Sequence, residues 1–368
     1  MRSLSLLLLM MLSASMYVST FMAADVDDEA ALLSFKAVAI SSGYDDPLAS
    51  WNGSIGGYCN WEGVRCRGRH QRVVALTLPS HGLTGVLSPA IGNLSSLRTL
   101  NLSFNGFSGD IPASLSRLRR LHILDLSHNT FSSEVPVNLT SCINLKTMRL
   151  RFNQLRGCVP SEIGNKLMGL KILTLGDNKL TGAIPTSLGN LSSLVTLELA
   201  YNQLEGTIPS SLGNILGIRY LALAYNNLSD NSSIAHFLPS YHSKQHGNSP
   251  GELAAAAIGR GRRSQRQGRH CQQQRIQRCS CFVERHYRRI LQLGRGDMRR
   301  QALRLPSYRF LSLNNNSFTD AIPVSLGNLS SQNFLDLCFN QLDGTISTEL
   351  GAIKDLRFLG TCLQQPLC

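Results

Sequence analysis

Arg149 and Arg151 are separated by one leucine and form the strongest local charge in the regular part of the chain. A guanidinium group binds a carboxylate or a sulfate through paired hydrogen bonds. If this segment is a β-strand, both side chains point to the same face. We expect this face to hold an anionic group of a ligand; a solvated, variable surface is the alternative interpretation.

Neighbouring segments should place further side chains on the same face, at positions that alternate with leucines. The predicted ligand-binding set consists of Arg149 and Arg151 together with Asp125, Glu198 and Tyr220. Extended concave faces built from stacked repeats are natural binding surfaces.

Residues that could carry catalysis or hold a metal form no convincing group elsewhere. The chain contains neither a phosphate-binding glycine loop nor the Lys, His-Arg-Asp and Asp-Phe-Gly motifs of a protein kinase. Cys271, Cys279, Cys281 and His286 are zinc-ligand types, but their spacing fits no familiar pattern. We therefore predict that the chain is not an enzyme and has no cofactor or metal site.

A repeat of 24 residues organises most of the chain and would position the candidate face. The pattern Leu-x-Leu-x-x-Asn returns with its asparagine in register, once with Met in place of the first leucine. The asparagines are Asn105, Asn129, Asn153, Asn178, Asn202, Asn226, Asn316 and Asn340. A Gly-x-Ile-Pro motif follows several of them. Since one coil cannot bury its own apolar side chains, the repeats must stack.

Each part of the repeat has a physical reading. Leu-x-Leu predicts a short strand with its leucines directed inward. The asparagine amide both donates and accepts hydrogen bonds, so at the corner it can satisfy backbone groups of the turning chain and form a ladder. Glycine and Ile-Pro predict a bend on the opposite side. The product is an α/β solenoid with a parallel sheet along one face.

The ends of the chain differ from the repeats. Met1 and Arg2 precede an apolar run over residues 4–12 and then small residues up to Ala24, an order that predicts a signal peptide over residues 1–24. We expect the mature chain to be secreted or extracellular, with a membrane location only if a longer form continues into a transmembrane helix. Residues 362–368 are read as a C-terminal tail.

The net charge of +13 arises from one interval in which the repeat is missing. The chain has 36 Lys and Arg against 23 Asp and Glu, and residues 240–309 hold 16 of the basic and 3 of the acidic residues. The rest is therefore balanced. We predict a disordered basic linker or an out-of-frame coding segment here rather than a nucleic-acid-binding site. We also expect the repeats of residues 310–361 not to stack directly on those of residues 76–239.

These motifs resemble the plant-type leucine-rich repeat family, for which Gly-x-Ile-Pro is specific. The segment over residues 25–75, with its amphipathic helix, Trp51 and Trp61, resembles the N-terminal cap of plant receptor-like kinases and receptor-like proteins. The resemblance implies a right-handed horseshoe whose cap is stapled by a Cys59–Cys66 disulfide. Cys142 is read as a buried apolar residue, with a bridge to Cys158 left open.

The resemblance also implies a function. We expect receptor-like recognition of a peptide, a protein or a microbial pattern in signalling or defence, with a co-receptor as a further partner. One alternative is a secreted inhibitor of a microbial cell-wall-degrading enzyme, and another is a degenerate gene product without function. Asn-x-Ser/Thr motifs predict N-glycosylation at Asn52, Asn93, Asn138, Asn190, Asn227, Asn231 and Asn328.

Overall fold

The computed structural model describes residues 28–41, 46–52, 57–229, 310–324, 326, 332–351 and 353–361. The signal peptide predicted for residues 1–24, the basic segment of residues 240–309 and the tail of residues 362–368 lie outside these ranges.

The N-terminal cap is a small aromatic core placed over the first coils. Helix α1 spans residues 28–36, and strand β1 (Ala39–Ser41), a 3₁₀ turn (Tyr58–Asn60) and strand β2 (Val64–Arg67) follow. The Phe35 ring lies 5.8 Å from that of Trp51 and 5.8 Å from that of Phe107 in the second coil. Trp51 stacks on Trp61 at 5.3 Å. These rings cover leucines that an open solenoid end would expose.

The disulfide predicted between Cys59 and Cys66 is confirmed. Closing so short a loop should stabilise the fold by about 2–3 kcal/mol through the unfolded chain. We expect the double variant Cys59→Ala/Cys66→Ala to melt several degrees lower in a thermal unfolding experiment. Cys158→Ala, which removes an exposed free thiol, is the matched control. Equal melting temperatures for the two variants would show that the bond contributes nothing to stability.

Eleven strands form the main sheet, in which each coil contributes one strand. After β2, the strands are β3 (Arg72–Thr77), β5 (Thr99–Asn101), β7 (Ile123–Asp125), β9 (Thr147–Arg149), β10 (Ile172–Thr174), β12 (Thr196–Glu198), β14 (Tyr220–Ala222), β16 (Phe310–Ser312), β17 (Phe334–Asp336) and β18 (Phe358–Gly360). All of these pairs are parallel except β2 with β3. Leu100 faces Leu124 and both are fully buried, so the pattern of inward leucines correctly predicted the register.

The coils on either side of the basic segment stack directly, which makes the expectation of a broken array wrong. β14 pairs with β16 in the usual register, with Leu221 opposite Leu311. Asn316 Nδ2 donates to the carbonyl of Leu223 at 3.1 Å, as its counterparts do in uninterrupted coils. The pairing succeeds because each coil needs only a matching neighbour in space, whatever length of chain connects the two.

A second set of short strands follows the asparagine corner on the flank of the solenoid. These are β4 (Leu83–Val86), β6 (Gly106–Gly109) and β8 (Thr130–Phe131), then β11 (Thr181–Ala183), β13 (Gln203–Gly206) and β15 (Asn227–Leu228). The glycine of Gly-x-Ile-Pro ends this segment with a left-handed backbone, as in Gly109 (φ 72°) and Gly206 (φ 75°). Only glycine adopts this conformation without strain, which explains the motif.

The segments opposite the main sheet are mostly 3₁₀ turns, and one 25-residue coil shows why. In the coil before it, the N–H of Cys142 donates to the carbonyl of Leu139, three residues earlier. The longer coil has one extra residue at this place and forms the short helix α2 (Glu162–Lys166). There the N–H of Leu167 donates to Ile163, four residues earlier. The extra residue thus converts a 3₁₀ turn into an α-helical turn. A further short helix, α3, spans Thr348–Gly351.

Candidate ligand-binding face

The asparagine ladder fixes the corner at which every face-forming strand ends. Asn129 accepts a hydrogen bond at Oδ1 from the N–H of Phe107 (3.0 Å), and its Nδ2 donates to the carbonyls of Leu102 and Leu126 (3.0 Å each). Phe107 and Leu102 belong to the preceding coil, so one side chain bonds two coils together. The predicted ladder is confirmed. The same pattern recurs at Asn105, Asn153, Asn178, Asn202, Asn226, Asn316 and Asn340.

The residue before each ladder asparagine has a left-handed backbone, which the sequence analysis missed. Several of these residues are aromatic, and their rings stack between coils: His128 lies 3.9 Å from Phe104 and 4.2 Å from Phe152, and Tyr201 lies 4.1 Å from Tyr225. This conformation costs a non-glycine residue roughly 1–2 kcal/mol. Backbone bonds to the next coil, such as Phe104 N–H to the Ser127 carbonyl (2.9 Å), offset that cost.

Four of the five predicted ligand-binding residues lie in one charged cluster on the sheet face. Arg149 Nη1 lies 3.3 Å from Asp125 Oδ2 in the preceding coil. Arg151 Nη2 lies 3.3 Å from Asp177 Oδ2 and 3.6 Å from Glu198 Oε1. Both arginines are half-buried, whereas Asp125 and Glu198 are buried. The arginines are therefore already held by carboxylates of the protein itself.

Gly176 makes room for this cluster. A Cβ atom at Gly176 would overlap the Glu198 carboxylate and lie 2.8 Å from the carbonyl of Ala200. Because the position carries no side chain, Glu198 can reach Arg151 across the intervening coil. Glu198 was predicted as a face residue, but Asp177 was not, because it lies at the left-handed corner rather than between the two leucines.

Burial, together with the negative charge of Glu198, raises the pKa of Asp177 to about 7, although Arg151 acts in the opposite direction. Burial also raises the pKa of Asp336, on β17, to about 6, against the hydrogen bond from the Cys338 N–H. An aspartate of the unfolded chain titrates near 3.9. Each group therefore holds its proton more tightly in the folded chain.

We expect stability to fall as pH rises from about 4 to 7. In this window the folded chain retains protons that the unfolded chain has released, which costs up to ~1.4 kcal/mol per pH unit and group. Asp177→Asn should raise stability at pH 7 and flatten this slope in urea unfolding. Asn315 occupies the equivalent left-handed corner (φ 51°), so asparagine fits there. The exposed Asp110→Asn is the control, and an identical slope in both variants would contradict the assignment.

Tyr220, the fifth predicted residue, belongs to an aromatic column rather than to the charged cluster. Its ring stacks on Phe310 at 4.6 Å, Phe310 on Phe334 at 4.3 Å and Phe334 on Phe358 at 4.5 Å. The column was missed because the repeat break separates Tyr220 from Phe310 in sequence. The sheet face thus has a charged part and an aromatic part.

The remaining cysteines fall into different environments. Cys142 is buried, its Sγ lies 3.3 Å from the Leu115 carbonyl, and burial raises the pKa of its thiol to about 11. Cys142 and Cys158 are both free, so the bridge left open between them is not formed. Cys338 is disulfide-bonded, which the sequence analysis did not predict.

Five of the predicted glycosylation sites lie within the described residues, and their asparagines are exposed: Asn52, Asn93, Asn138, Asn190 and Asn227. Asn231 and Asn328 lie outside them. Across the described ranges, no cluster of His, Cys, Asp and Glu is arranged to hold a metal ion. Cys271, Cys279, Cys281 and His286 lie outside those ranges. No helix in the described part of the chain is both long and apolar enough to cross a membrane.

Separate protein-family models match the cap and the coils. The leucine rich repeat N-terminal domain matches residues 25–67. Leucine rich repeat profiles match residues 71–131, 143–204 and 168–228, and a further one matches residues 309–329.

Curated relatives are plant receptor kinases, matched over part of their extracellular repeats. The chain is 51% identical over 76 residues to the LRR receptor-like serine/threonine-protein kinase EFR of Arabidopsis thaliana, which covers 21% of this chain and 7% of that protein. It is 53% identical over 81 residues to the receptor kinase-like protein Xa21 of Oryza sativa subsp. japonica, covering 21% and 8%. The matched segments thus span less than a tenth of these relatives.

Solved structures are similar over most of the chain. The ectodomain of the Arabidopsis thaliana receptor kinase GASSHO1/SCHENGEN3, in complex with CASPARIAN STRIP INTEGRITY FACTOR 2, has a TM-score of 0.67 at 30% identity, covering 89% of this chain and 32% of that one. The Arabidopsis receptor kinase HAESA, in complex with the peptide hormone IDA and the co-receptor SERK1, has a TM-score of 0.66 at 25% identity, covering 92% and 46%.

Proposed function

Since this chain belongs to the leucine-rich repeat family, we propose that its coils form an extracellular recognition module that binds a peptide or protein ligand on the main sheet. The observation that carries the proposal is the likeness to receptor ectodomains at up to 30% identity over about nine-tenths of the chain, in structures that contain peptide hormones. A signalling or defence role, an extracellular or membrane location and a co-receptor partner belong to the same proposal. The matches cover only repeats and cap, so we assign the chain no catalytic step.

The charged cluster is the part of the face that we propose to contact the ligand. Arg149 and Arg151 are held in place by Asp125, Asp177 and Glu198, so binding orders few additional side-chain rotations. A ligand carboxylate can join the shared guanidinium groups, most readily when Asp177 is protonated and the cluster has lost one negative charge. Tyr220, which is half-buried, offers apolar contact farther along the same face.

Peptides with a free C-terminal carboxylate provide the test. A panel of synthetic secreted-peptide sequences is titrated calorimetrically against the full chain, and each binder is repeated with an amidated C-terminus. We expect amidation, Arg149→Gln and Arg151→Gln each to weaken binding about tenfold, which is the loss of one charge-assisted contact.

Arg156→Gln, an exposed arginine outside the cluster, is the matched control and should leave affinity unchanged. Amidation leaves the protein intact, so it remains informative if an arginine variant unfolds. Binders that respond to none of these changes would rule out the charged cluster, and a panel without binders would rule out peptide recognition.

A further inference from the structure

The charge balance of the solenoid conceals an unequal distribution between the two borders of the main sheet. The segments that lead into four consecutive strands, residues 89–98, 113–122, 137–146 and 161–171, contain a single acidic residue, Glu162. Their basic residues form what we call the basic edge: Arg98, Arg117, Arg119, Arg120, Lys146, Lys166 and Lys171. Exposed acidic residues lie instead beyond the asparagine corner, at Asp110, Glu134 and Glu205.

Backbone hydrogen bonds place part of the basic edge in register from coil to coil. The N–H of His122 donates to the carbonyl of Arg98, that of Lys146 to His122 and that of Lys171 to Lys146, each at 2.8 Å. Neighbouring strands lie about 4.8 Å apart, so this row places Arg98, Lys146 and Lys171 at multiples of that interval, with the imidazole of His122 between the first two. The other cations of the basic edge lie in the turns that precede this row: Arg117, Arg119, Arg120 and Lys166.

No cation of the basic edge forms an ion pair with a described carboxylate, whereas Arg149 and Arg151 on the sheet face both do. Arg117 and Arg119 donate hydrogen bonds to uncharged groups only, the Asn93 side chain at 3.0 Å and the Ser141 carbonyl at 2.9 Å. Arg98, Arg120 and Lys171 are exposed. Uncompensated charges of one sign along a surface attract an extended partner of the opposite sign.

We propose that the basic edge binds a linear acidic polysaccharide, separately from the ligand site on the sheet face. A carboxylate on each sugar ring of an extended glycan recurs at a distance similar to the spacing between coils. Exposed Ile143 (60%) and Met168 (47%) lie in the same turns and give the carbon faces of sugar rings a surface for packing.

Nucleic acid fits this surface less well. Duplex DNA carries one charge per about 1.7 Å, far denser than the three cations that the row from Arg98 to Lys171 holds along about 15 Å. Single strands are held by aromatic side chains on which the bases stack. The four segments of the basic edge contain no Phe, Tyr or Trp.

Oligogalacturonates of increasing length, titrated against the full chain by calorimetry, test the proposal. Affinity should rise with length until the oligomer spans the row from Arg98 to Lys171, a distance of about 15 Å. It should fall as salt is raised, because exposed charges are screened. Arg120→Glu/Lys171→Glu should weaken binding at least about tenfold.

The matched control is Arg156→Glu/Lys179→Glu, which reverses two exposed cations beyond the asparagine corner and should change affinity less than about twofold. Equal weakening in both pairs, or none in either, would overturn the assignment to the basic edge. Equal affinity for methyl-esterified oligomers would show that the protein does not recognise the carboxylates. Equal affinity for polyglutamate would replace the polysaccharide with an acidic polypeptide as partner.

Discussion

Replacing Asn129 with alanine should lower the free energy of unfolding by about 4–6 kcal/mol, one of the two largest single-residue effects that we expect. The substitution leaves the Phe107 N–H and the carbonyls of Leu102 and Leu126 without their side-chain partner in a site closed to water. Each buried polar group left unsatisfied costs about 1–3 kcal/mol. The substitution destabilises two coils, since the Asn129 amide forms hydrogen bonds that join one coil to the other.

Urea unfolding followed by circular dichroism measures this loss. Asn144→Ala is the matched control, because Asn144 is exposed and its Nδ2 donates to a single carbonyl, that of Arg119 at 2.8 Å. Water can replace that bond, so we expect a change below about 1 kcal/mol. If the two variants lose similar stability, the ladder is not a principal stabilising element.

The second large effect is expected at Asp28, which ties the cap helix to the first coil. Its carboxylate is fully buried and accepts hydrogen bonds from Arg72 Nη2 (2.7 Å), Arg72 Nε (2.8 Å) and the N–H of Val73 (2.9 Å). Asp28→Ala removes the carboxylate partner of a half-buried guanidinium and of a buried N–H at once. Removing one partner of a buried ion pair costs about 3–5 kcal/mol.

Asp46→Ala is the comparison, since Asp46 is exposed and lies 3.5 Å from Lys36. A solvated pair of this kind contributes about 0–1 kcal/mol. The double variant Asp28→Leu/Arg72→Met should regain part of the lost stability, because no unpaired buried charge remains. A double variant no more stable than Asp28→Ala would locate the stabilisation in the Val73 contact instead.

The sequence predicted those features that repeat. Inward leucines and the asparagine ladder follow from spacing, because each coil meets a copy of itself at a fixed offset. The Cys59–Cys66 staple was instead implied by the resemblance of the cap to a known family. The Asp125–Arg149 pair could be predicted in the same way, since the two residues occupy equal positions in consecutive coils. The direct stacking of Leu221 on Leu311 could not be predicted, because spacing along the chain does not indicate which distant coil becomes the next neighbour.

Features that depart from the repeat were harder to predict. The Arg151–Glu198 contact crosses an intervening coil and depends on the missing side chain of Gly176. The raised pKa of Asp177 depends on burial in that same cluster, which no spacing reveals. The left-handed corner is visible in the sequence as a recurring aromatic residue immediately before the asparagine. The cause of this recurrence, ring stacking between coils, can be seen only in the structure.

The junction between β14 and β16 has a practical consequence for protein engineering. The described chain departs at Ser229 and rejoins at Phe310, yet the two coils meet as if they were consecutive. A junction of this kind is an acceptor site for a foreign domain whose ends span the distance from the flank strand to the main sheet, because the register of the two coils does not depend on the length of chain between them. The solenoid would then serve as a display scaffold for the inserted domain.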